Sequence, residues 1–472
     1  MLLVFVALYM LITVPVGIWA ARRVKSSRDY VLAGKHLPFF VALATVFATW
    51  FGSDTVLGAG TEMAKGGFLN VMVDPFGAGL CLVLIGLFFA KKLYSLNHLT
   101  IGDYFTERYG KTVGTMLSVA IIVTYFGWTA AQFVAIGIVL HLLLSIGVAW
   151  GMAIAALIVV VYTYLGGMWS VALNDTIQMG MILVGLIAVF AEIVWKFGFG
   201  TIIASAPAEY YRLSPGGEGS MNEWLAYFAA WITLGLGSIP QQDVYQRVVS
   251  ARSAEVAKWA AIVGGILYFT VTLIPLFLGL AARYLHPELM LGGADSQTLL
   301  PTLILENVSF PTQVLFFGAL IAAIMSTASG AILAPSTLFI ENVVRPFVAH
   351  ISDNVRLQFI RYAIVGIAAV ALLIAIQEGS IYEIVGASYS ITLVAAFVPM
   401  TFGLFTKRAN TLGAVLAVIL GTLSWQYVEH FGGEEPAVPS IIVGLGMSVT
   451  GMLVGMFLER FVRKEEFRLA RR

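Results

Sequence analysis

The chain has 472 residues, of which 59% are hydrophobic and only 11% charged, and its formal net charge is +1. Soluble domains average about 25% charged residues, so this chain has too little polar surface to cover a globule in water. The near-neutral charge gives no sign of a nucleic-acid partner, and the single cysteine, Cys81, makes neither a disulfide framework nor a thiolate metal site. The composition therefore predicts a protein whose solvent is lipid.

Thirteen apolar segments follow one another along the chain, each near the roughly 20 residues that a helix needs to cross a bilayer. They are residues 2–21, 38–62, 68–90, 114–146, 148–165, 170–195, 223–247, 257–283, 310–341, 358–376, 381–405, 411–428 and 439–460. The first segment is followed, rather than preceded, by Arg22, Arg23 and Lys25, which fits a retained helix and not a cleaved signal peptide. We therefore predict an all-α membrane protein with about 13 transmembrane helices.

Positive charge divides the loops between these segments into two classes. If the chain starts outside and crosses thirteen times, all but four of its 27 Lys and Arg residues lie inside. The exceptions are Lys65, Lys196, Arg212 and Arg283. Omitting or adding a helix would invert every later loop, so the partition favours an outside N-terminus and an inside C-terminus. The outer loops are too short for separate domains, so we expect a single transmembrane domain over residues 1–472.

Several functional classes find no motif in the sequence. A Walker A loop is absent because Phe105 stands where Gly110-Lys111 would require its first glycine. The histidines form no i,i+4 zinc pair, and no acid–base or metal constellation supports an enzyme. A channel would want a continuous polar lining, and a membrane sensor would carry a signalling domain after its last helix. A secondary transporter is therefore the class to test against the remaining pattern.

Two predicted spans are interrupted near their middle by residues that disfavour a helix. The second span contains Gly52–Thr55, which includes Asp54, and the seventh contains Gly235, Gly237 and Pro240. The two spans lie five helices apart and run in opposite directions, which is typical of inverted five-helix repeats with a binding site at the membrane midplane. The alternative is that the glycines only permit close helix packing.

The ninth span carries two adjacent hydroxyls, Ser326 and Thr327, in mid-helix. Such hydroxyls often bond back to their own helix. Sodium, however, prefers oxygen ligands, and the carbonyls of a broken helix placed opposite two hydroxyls would supply them.

Four stretches of the sequence together resemble the sodium/solute symporter family over roughly residues 1–408. They are Ala48–Gly67, Gly166–Gln178, Gln246-Arg247 with Ala251, and Ala322–Ser329. Within the family, Ala48-Thr49-Trp50 and Gly86–Lys91 are most similar to the high-affinity choline transporter branch. The resemblance implies a five-plus-five inverted-repeat core of the leucine-transporter type. It places an extra N-terminal helix and loop in residues 1–37, the repeats in 38–200 and 223–405, and C-terminal helices and a tail in 406–472.

The resemblance also implies a sodium site between the second and ninth spans. Its ligands, carried over by position, are the carbonyls of Ala48, Phe51 and Ala323 and the hydroxyls of Ser326 and Thr327. Asp175 matches an acid that is thought in the family to help sodium pass to the cytoplasm. The alternative for Asp175 is a carboxylate favoured by a helix N-terminus.

Substrate residues carry over less completely. Trp50 and Trp128 match aromatics that hold a quaternary ammonium in the choline branch, through cation–π contact. The family's third aromatic is replaced here by Gln241, which weighs against choline itself. Asp54 and Asp74 are acids at membrane depth that pair either with a cationic or zwitterionic solute or with Lys65. The further candidates, for which polar packing is the alternative, are Gln132, Asp243, Tyr245 and Tyr389.

The resulting expectation is a sodium-coupled symporter of the plasma membrane that imports a small organic solute. Amine-bearing solutes are the first candidates: choline-like compounds, betaine, proline and other amino acids. A proton-coupled carrier using Asp54 or Asp175, and a sodium channel or sensor on the same fold, remain alternatives. We expect no enzymatic activity, no cofactor besides sodium, no nucleic acid and no obligate protein partner.

Overall fold

The computed structural model describes residues 13 and 15–469, apart from 218, 292–297, 349–351, 378–380 and 434–435. Within these residues the chain is helical and contains no β-strand beyond one isolated bridge between Leu37 and Ala251. The helices are α1 (Ser27–Leu32), α2 (Phe39–Trp50), α3 (Asp54–Gly66), α4 (Phe68–Ser95), α5 (Ile101–Tyr109), α6 (Lys111–Leu144), α7 (Val148–Phe197), α8 (Phe199–Ser205), α9 (Met221–Gly237), α10 (Gln242–Ser250), α11 (Ala254–Leu285), α12 (Leu299–Asn307), α13 (Phe310–Phe347), α14 (Asp353–Ala375), α15 (381–405), α16 (Thr411–Phe431) and α17 (Ser440–Leu469). Most of the predicted first span, residues 2–12 and 14, lies outside the described residues, and 15–21 are helical.

Nine of the helices in the described ranges are long and apolar enough to cross a membrane, or ten when the bent pair α2 and α3 is counted as one span. The predicted number of thirteen is larger for three reasons. It divides α7 into two spans, it joins α9 and α10 into one, and it includes the span that starts at residue 2.

The division of α7 falls at Gly167, where the backbone leaves the helical region with φ 52° and ψ −139°. A Cβ at this position would lie 2.4 Å from the carbonyl oxygen of Tyr30, so only glycine fits the kink without strain. The Tyr30 hydroxyl in turn donates to the carbonyl of Thr163, 2.8 Å away. The predicted spans 148–165 and 170–195 therefore meet at a sharp bend supported by α1.

Helix α13 lies at the centre of the bundle. In the most apolar 18-residue stretch of α13, 94% is buried, compared with 22% in that of α16 and 33% in that of α17. It packs against α6, α7 and α2, whereas α16 and α17 pack mainly against each other and expose apolar side chains outward. Polar groups in the middle of α13 are thus surrounded by protein. A group that has no protein partner there needs a bound ion, water or solute as its partner.

Both interruptions predicted from glycine and proline are present. Helix α2 ends at Trp50, Phe51 is non-helical with φ −88° and ψ 74°, and α3 leaves at an angle of 55°. Helix α9 ends at Gly237, and a turn through residues 238–240 precedes α10. The last carbonyls of α2 and α9 therefore lack the following helical N–H groups, deep inside the bundle.

Candidate functional site

The break between α2 and α3 faces the paired hydroxyls of α13. A Cβ built on Gly52 would lie 2.8 Å from Oγ1 of Thr327. The backbone at the break therefore approaches α13 so closely that only glycine fits at position 52. Phe51 and Ala323 line the same narrow apolar gap beside this contact. The residues predicted to hold sodium are all buried without measurable exposure: Ala48, Phe51, Ala323, Ser326 and Thr327. The broken end of α2 thus lies against α13, where the sequence predicts the sodium site.

The two hydroxyls on α13 differ in what they contact. The Ser326 hydroxyl donates to Oδ1 of Asp175 over 2.5 Å. The Thr327 hydroxyl is fully buried and has no hydrogen-bond partner among the described residues. Neither hydroxyl follows the expected alternative of bonding back to its own helix. An unpartnered buried hydroxyl costs free energy, so Thr327 is available to bind a ligand.

Asp175 is in direct contact with a residue of the predicted sodium site, because it accepts the hydrogen bond of Ser326. Its Oδ2 accepts a hydrogen bond from the Thr45 hydroxyl at 2.5 Å and lies 3.5 Å from that of Thr49. It stands eight residues beyond the kink at Gly167, whereas helix-dipole stabilisation is confined to the first turn. Contacts to α2 and α13, and not a helix N-terminus, therefore hold this carboxylate.

A buried guanidinium completes this polar layer: Arg247, which the sequence analysis identified only as part of a motif, is 2% exposed. Arg247 donates through Nε and Nη2 to the Thr49 hydroxyl, at 2.9 and 2.6 Å, and through Nη1 to the carbonyl of Asp243 at 3.0 Å. Thr45 and Thr49 are spaced i,i+4 and so share one face of α2. The i,i+4 spacing of the two threonines indicates a polar face on α2, but it does not show that Arg247 and Asp175 contact this face.

Asp74 has protein partners for both of its carboxylate oxygens. Oδ1 accepts from the hydroxyl of Tyr268 at 2.6 Å, and Oδ2 accepts from that of Thr55 at 3.1 Å. These bonds tie α3, α4 and α11 together next to the break. The contacts favour the structural reading of Asp74 over a solute ligand. The suggested pairing with Lys65 does not occur, because Lys65 pairs with Glu62 at 2.8 Å.

Asp54 is as buried as Asp74 but is held differently. It is 3% exposed, and its Oδ1 has no hydrogen-bond partner in the described part of the chain. The neighbouring Ser53 hydroxyl and the Nε2 of Gln132 also lack one, although Gln132 Oε1 accepts from the Ser53 backbone N–H at 3.0 Å. Unlike Asp74, this carboxylate has binding capacity left over.

Two of the predicted aromatic residues, Trp128 and Tyr389, form part of one cluster of rings. Trp128 lies between Tyr125 and Tyr389, with ring centroids 5.9 and 6.0 Å away. Trp128 and Tyr389 are each 4% exposed and Trp50 is 5% exposed. The indole N–H of Trp128 is buried without a partner among the residues described. Tyr389 thus supplies a second ring beside Trp128, although Gln241 stands where the resemblance expects a third aromatic.

Gln241 and Asp243 lie at the second break and are largely engaged by protein. Gln241 Nε2 donates to the hydroxyls of Thr124 and Thr392, at 3.1 and 3.4 Å. Asp243 Oδ1 accepts from the Tyr125 hydroxyl at 2.5 Å, while its Oδ2 has no described partner. Gln241 is therefore held by polar contacts within the protein, whereas Asp243, for which polar packing was the alternative, keeps one oxygen without a described partner.

An open cleft elsewhere in the molecule does not belong to this site. It lies between the end of α5, the loop after α15 and the last two helices, and it is lined by Arg108, Lys407, Arg408 and Glu459 among others. It contains none of the residues predicted to bind sodium or solute. The candidate site is therefore the buried polar layer around Gly52, where side-chain oxygens of Asp54, Gln132 and Thr327 lie close together.

Comparisons with known proteins match most of the chain. The sodium:solute symporter family matches residues 30–421. The high-affinity choline transporter 1 of Torpedo marmorata is 30% identical over 454 residues, which cover 92% of this chain and 76% of the relative. The sodium/pantothenate symporter of Haemophilus influenzae is 23% identical and covers 93% and 92%.

A solved structure shows the same architecture. The substrate-bound, outward-open structure of a Na⁺-coupled sialic acid symporter superposes with a TM-score of 0.83, covering 97% of this chain and 98% of that one. At 20% identity the likeness shows the fold alone, and it confirms the predicted all-helical, leucine-transporter-type architecture. The protein is a multi-pass transporter of the plasma membrane, not an enzyme. The chain belongs to the sodium:solute symporter family.

Proposed function

We propose that this protein is a secondary active symporter that uses sodium to import a small, amine-bearing organic solute. The observation that carries the proposal is the unpartnered Thr327 hydroxyl, which faces the broken end of α2. A buried hydroxyl opposite the end of a broken helix suits a small hard cation, which prefers oxygen ligands.

Sodium in this proposal binds to the carbonyls of Ala48, Phe51 and Ala323 and the hydroxyls of Ser326 and Thr327. The fit is supported by the chemistry of the donor set, which consists of oxygens from two helices. Asp175 assists it, because the Ser326 hydroxyl can donate to the carboxylate and offer a lone pair to sodium at the same time. The negative charge then lies one hydrogen bond from the ion.

The solute in this proposal contacts Trp50, Trp128 and Tyr389. Each cation–π contact contributes about 0.5–2 kcal/mol, more when the site excludes water. Polar capacity for the rest of the solute remains on Asp54, Gln132 and Asp243, whose free atoms have no described partner. A choline transporter among the relatives supports an amine-bearing solute, whereas Gln241 in place of an aromatic favours a compound other than choline.

The proposed topology has thirteen crossings in one domain, with the N-terminus outside and the C-terminus inside. Hydrogen bonds support it, because they join loops assigned to the same side. On the inner side, Arg361 donates to the carbonyl of Tyr164 at 3.1 Å and Lys92 to that of Leu404 at 3.2 Å. On the outer side, Lys196 donates to the carbonyl of Asn307 at 2.9 Å and Arg283 to that of Ala64 at 3.0 Å.

Transport follows from the order of these contacts. Sodium enters from outside, orders the break between α2 and α3, and completes the solute pocket beside Trp50 and Trp128. The two repeats then rock to open the site inward. Each sodium gains about 2.3 kcal/mol per 100 mV of membrane potential. At about 1.4 kcal/mol per tenfold, that supports a solute gradient of roughly fortyfold.

The proposal is tested by solute uptake into proteoliposomes with an imposed sodium gradient. A thermal-shift screen of choline, betaine, proline, other amino acids, monocarboxylates and sugars in sodium selects the solute, because a ligand stabilises by RT ln(1 + [L]/Kd). Replacing Ser326 and Thr327 together with Ala should raise the sodium requirement steeply. Uptake by that variant with unchanged sodium dependence would refute the site, and sodium-free uptake driven by pH would assign coupling to protons.

A further inference from the structure

We propose that a second cation, most simply a second sodium ion, binds beside Gly52 between Asp54, Gln132 and Thr327. This inference rests on the proposed sodium coupling and extends it to a site of its own. It revises the proposed function at two residues: Asp54 and Gln132 bind the ion, and Oδ2 of Asp243 remains for the organic solute.

The geometry around Gly52 brings three oxygens from three helices to one place. A Cβ on this glycine would lie 2.7 Å from Oδ1 of Asp54, 2.8 Å from Oγ1 of Thr327 and 3.0 Å from Oε1 of Gln132. The three side chains belong to α3, α13 and α6. Any side chain at position 52 would therefore project into the convergence point, which the glycine leaves clear.

Two of these three oxygens are unsatisfied. Asp54 Oδ1 and Thr327 Oγ1 are buried and have no hydrogen-bond partner among the described residues. Gln132 Oε1 accepts one bond, from the Ser53 N–H at 3.0 Å, and an amide oxygen has a second lone pair. That bond also fixes the amide so that its oxygen points toward the break.

An ionised Asp54 needs a positive partner. Neither Lys nor Arg forms an ion pair with Asp54 in the described chain, since Lys65 pairs with Glu62 and Arg247 bonds to Thr49. An isolated buried carboxylate is strongly unfavourable, and a bound cation removes that penalty. Carboxylate, amide and hydroxyl oxygens are the ligands of hard ions. The described residues hold no group of three His, Cys, Asp or Glu that would suit a transition metal.

The second site is distinct from the first because the two hydroxyls of α13 point to different acids. Ser326 donates to Asp175, whereas Thr327 faces Gly52 and Asp54. Thr327 lies between the two sites, so each ion has an acid of its own and the two share one hydroxyl. We therefore expect their binding to be coupled through Thr327.

The test is equilibrium binding of radioactive sodium to the purified full-length protein without any organic solute. Wild-type protein should bind about two sodium ions per chain, D54N one, and S326A one. The matched control is E62Q, which also turns a carboxylate on α3 into an amide but lies at the outer end, beside Lys65. It should keep both ions, and the sodium dependence of uptake should keep its steepness.

A second variant protects the test against misfolding of D54N. In G52A the new methyl occupies the convergence point without altering any charge, so it should also reduce binding to one ion. The ion that remains in either variant reports that the protein is folded.

Several results would overturn the inference. D54N that still binds two ions removes Asp54 from any cation site. Complete loss of binding in both D54N and S326A would mean one shared site. One ion in the wild type, with D54N impairing only the uptake of amine solutes, would assign Asp54 to the ammonium group of the solute. In all three cases the sodium-coupled function would stand, whereas a wild-type protein that binds no sodium would refute the function itself.

Discussion

Replacing Thr327 with Val tests the central observation, because it removes the unpartnered hydroxyl and keeps the shape of the side chain. A buried hydroxyl without a partner costs about 1–3 kcal/mol, so its loss should leave the sodium-free protein as stable as before or more stable by up to that amount. Binding at 100 times Kd adds about 2.7 kcal/mol, so a tenfold weaker Kd would remove about 1.4 kcal/mol of the sodium-induced gain. The variant should therefore be at least as stable as the wild type in potassium, and sodium should stabilise it by about 1.4 kcal/mol less than it stabilises the wild type.

The assay is thermal unfolding of the purified protein in detergent, in matched potassium and sodium chloride. Ser326→Ala is the informative comparison, because it breaks the 2.5 Å hydrogen bond to Asp175. Loss of a bond to a charged group costs about 1.5–3 kcal/mol, so this variant should be less stable in both salts. If Thr327→Val behaves like Ser326→Ala in potassium, Thr327 has a structural partner. If it keeps the full sodium shift, Thr327 is not a ligand.

Three further predictions follow from other parts of the structure. Tyr268→Phe removes the hydroxyl that donates to Asp74 and should lower stability by about 1.5–3 kcal/mol, seen as a lower unfolding midpoint; an unchanged midpoint would contradict the structural role of Asp74. Trp128→Leu should raise KM for a quaternary ammonium solute roughly 2- to 30-fold, from about 0.5–2 kcal/mol of lost cation–π contact, and an unchanged KM would leave Trp128 as packing. Gly167→Ala should abolish folded protein in size-exclusion chromatography because φ is +52°, whereas Gly180→Ala, with no atom near its Cβ, should be tolerated.

Local chemistry was enough to predict the long helices of this fold, but not all of their boundaries or the short helices between them, such as α5 and α12. Glycine and proline placed both helix breaks, since these residues disfavour a helix wherever they lie. The sequence divides residues 148–195 into two spans, and the non-helical backbone of Gly167 lies between them. The helix is otherwise continuous over Val148–Phe197, so a count of apolar helices by length takes the two spans as one. Helix α10, which follows the break after Gly237, is too short and too polar to be predicted as a span by itself. The predicted span 223–247 therefore includes its first residues.

The site was less predictable, because its contacts join residues that are far apart in sequence. Ser326 and Asp175 are 151 positions apart, and Tyr268 and Asp74 are 194 apart. No local pattern distinguishes an acid that is satisfied on both oxygens, such as Asp74, from one with a free oxygen, such as Asp54. Packing decides that difference, and only tertiary structure supplies it.

The two α13 hydroxyls suggest why sodium binding would drive a conformational change. Ser326 is already held by a carboxylate on α7, so its ligand oxygen is oriented before an ion arrives. Thr327 is not held, and the chain it faces, at Gly52, lies where α2 and α3 meet at 55°. An ion bound there would connect a fixed helix to the joint of a broken one. Sodium would therefore bind more tightly to conformations in which the break between α2 and α3 lies against α13. Such a difference in affinity between conformations is what a population shift requires.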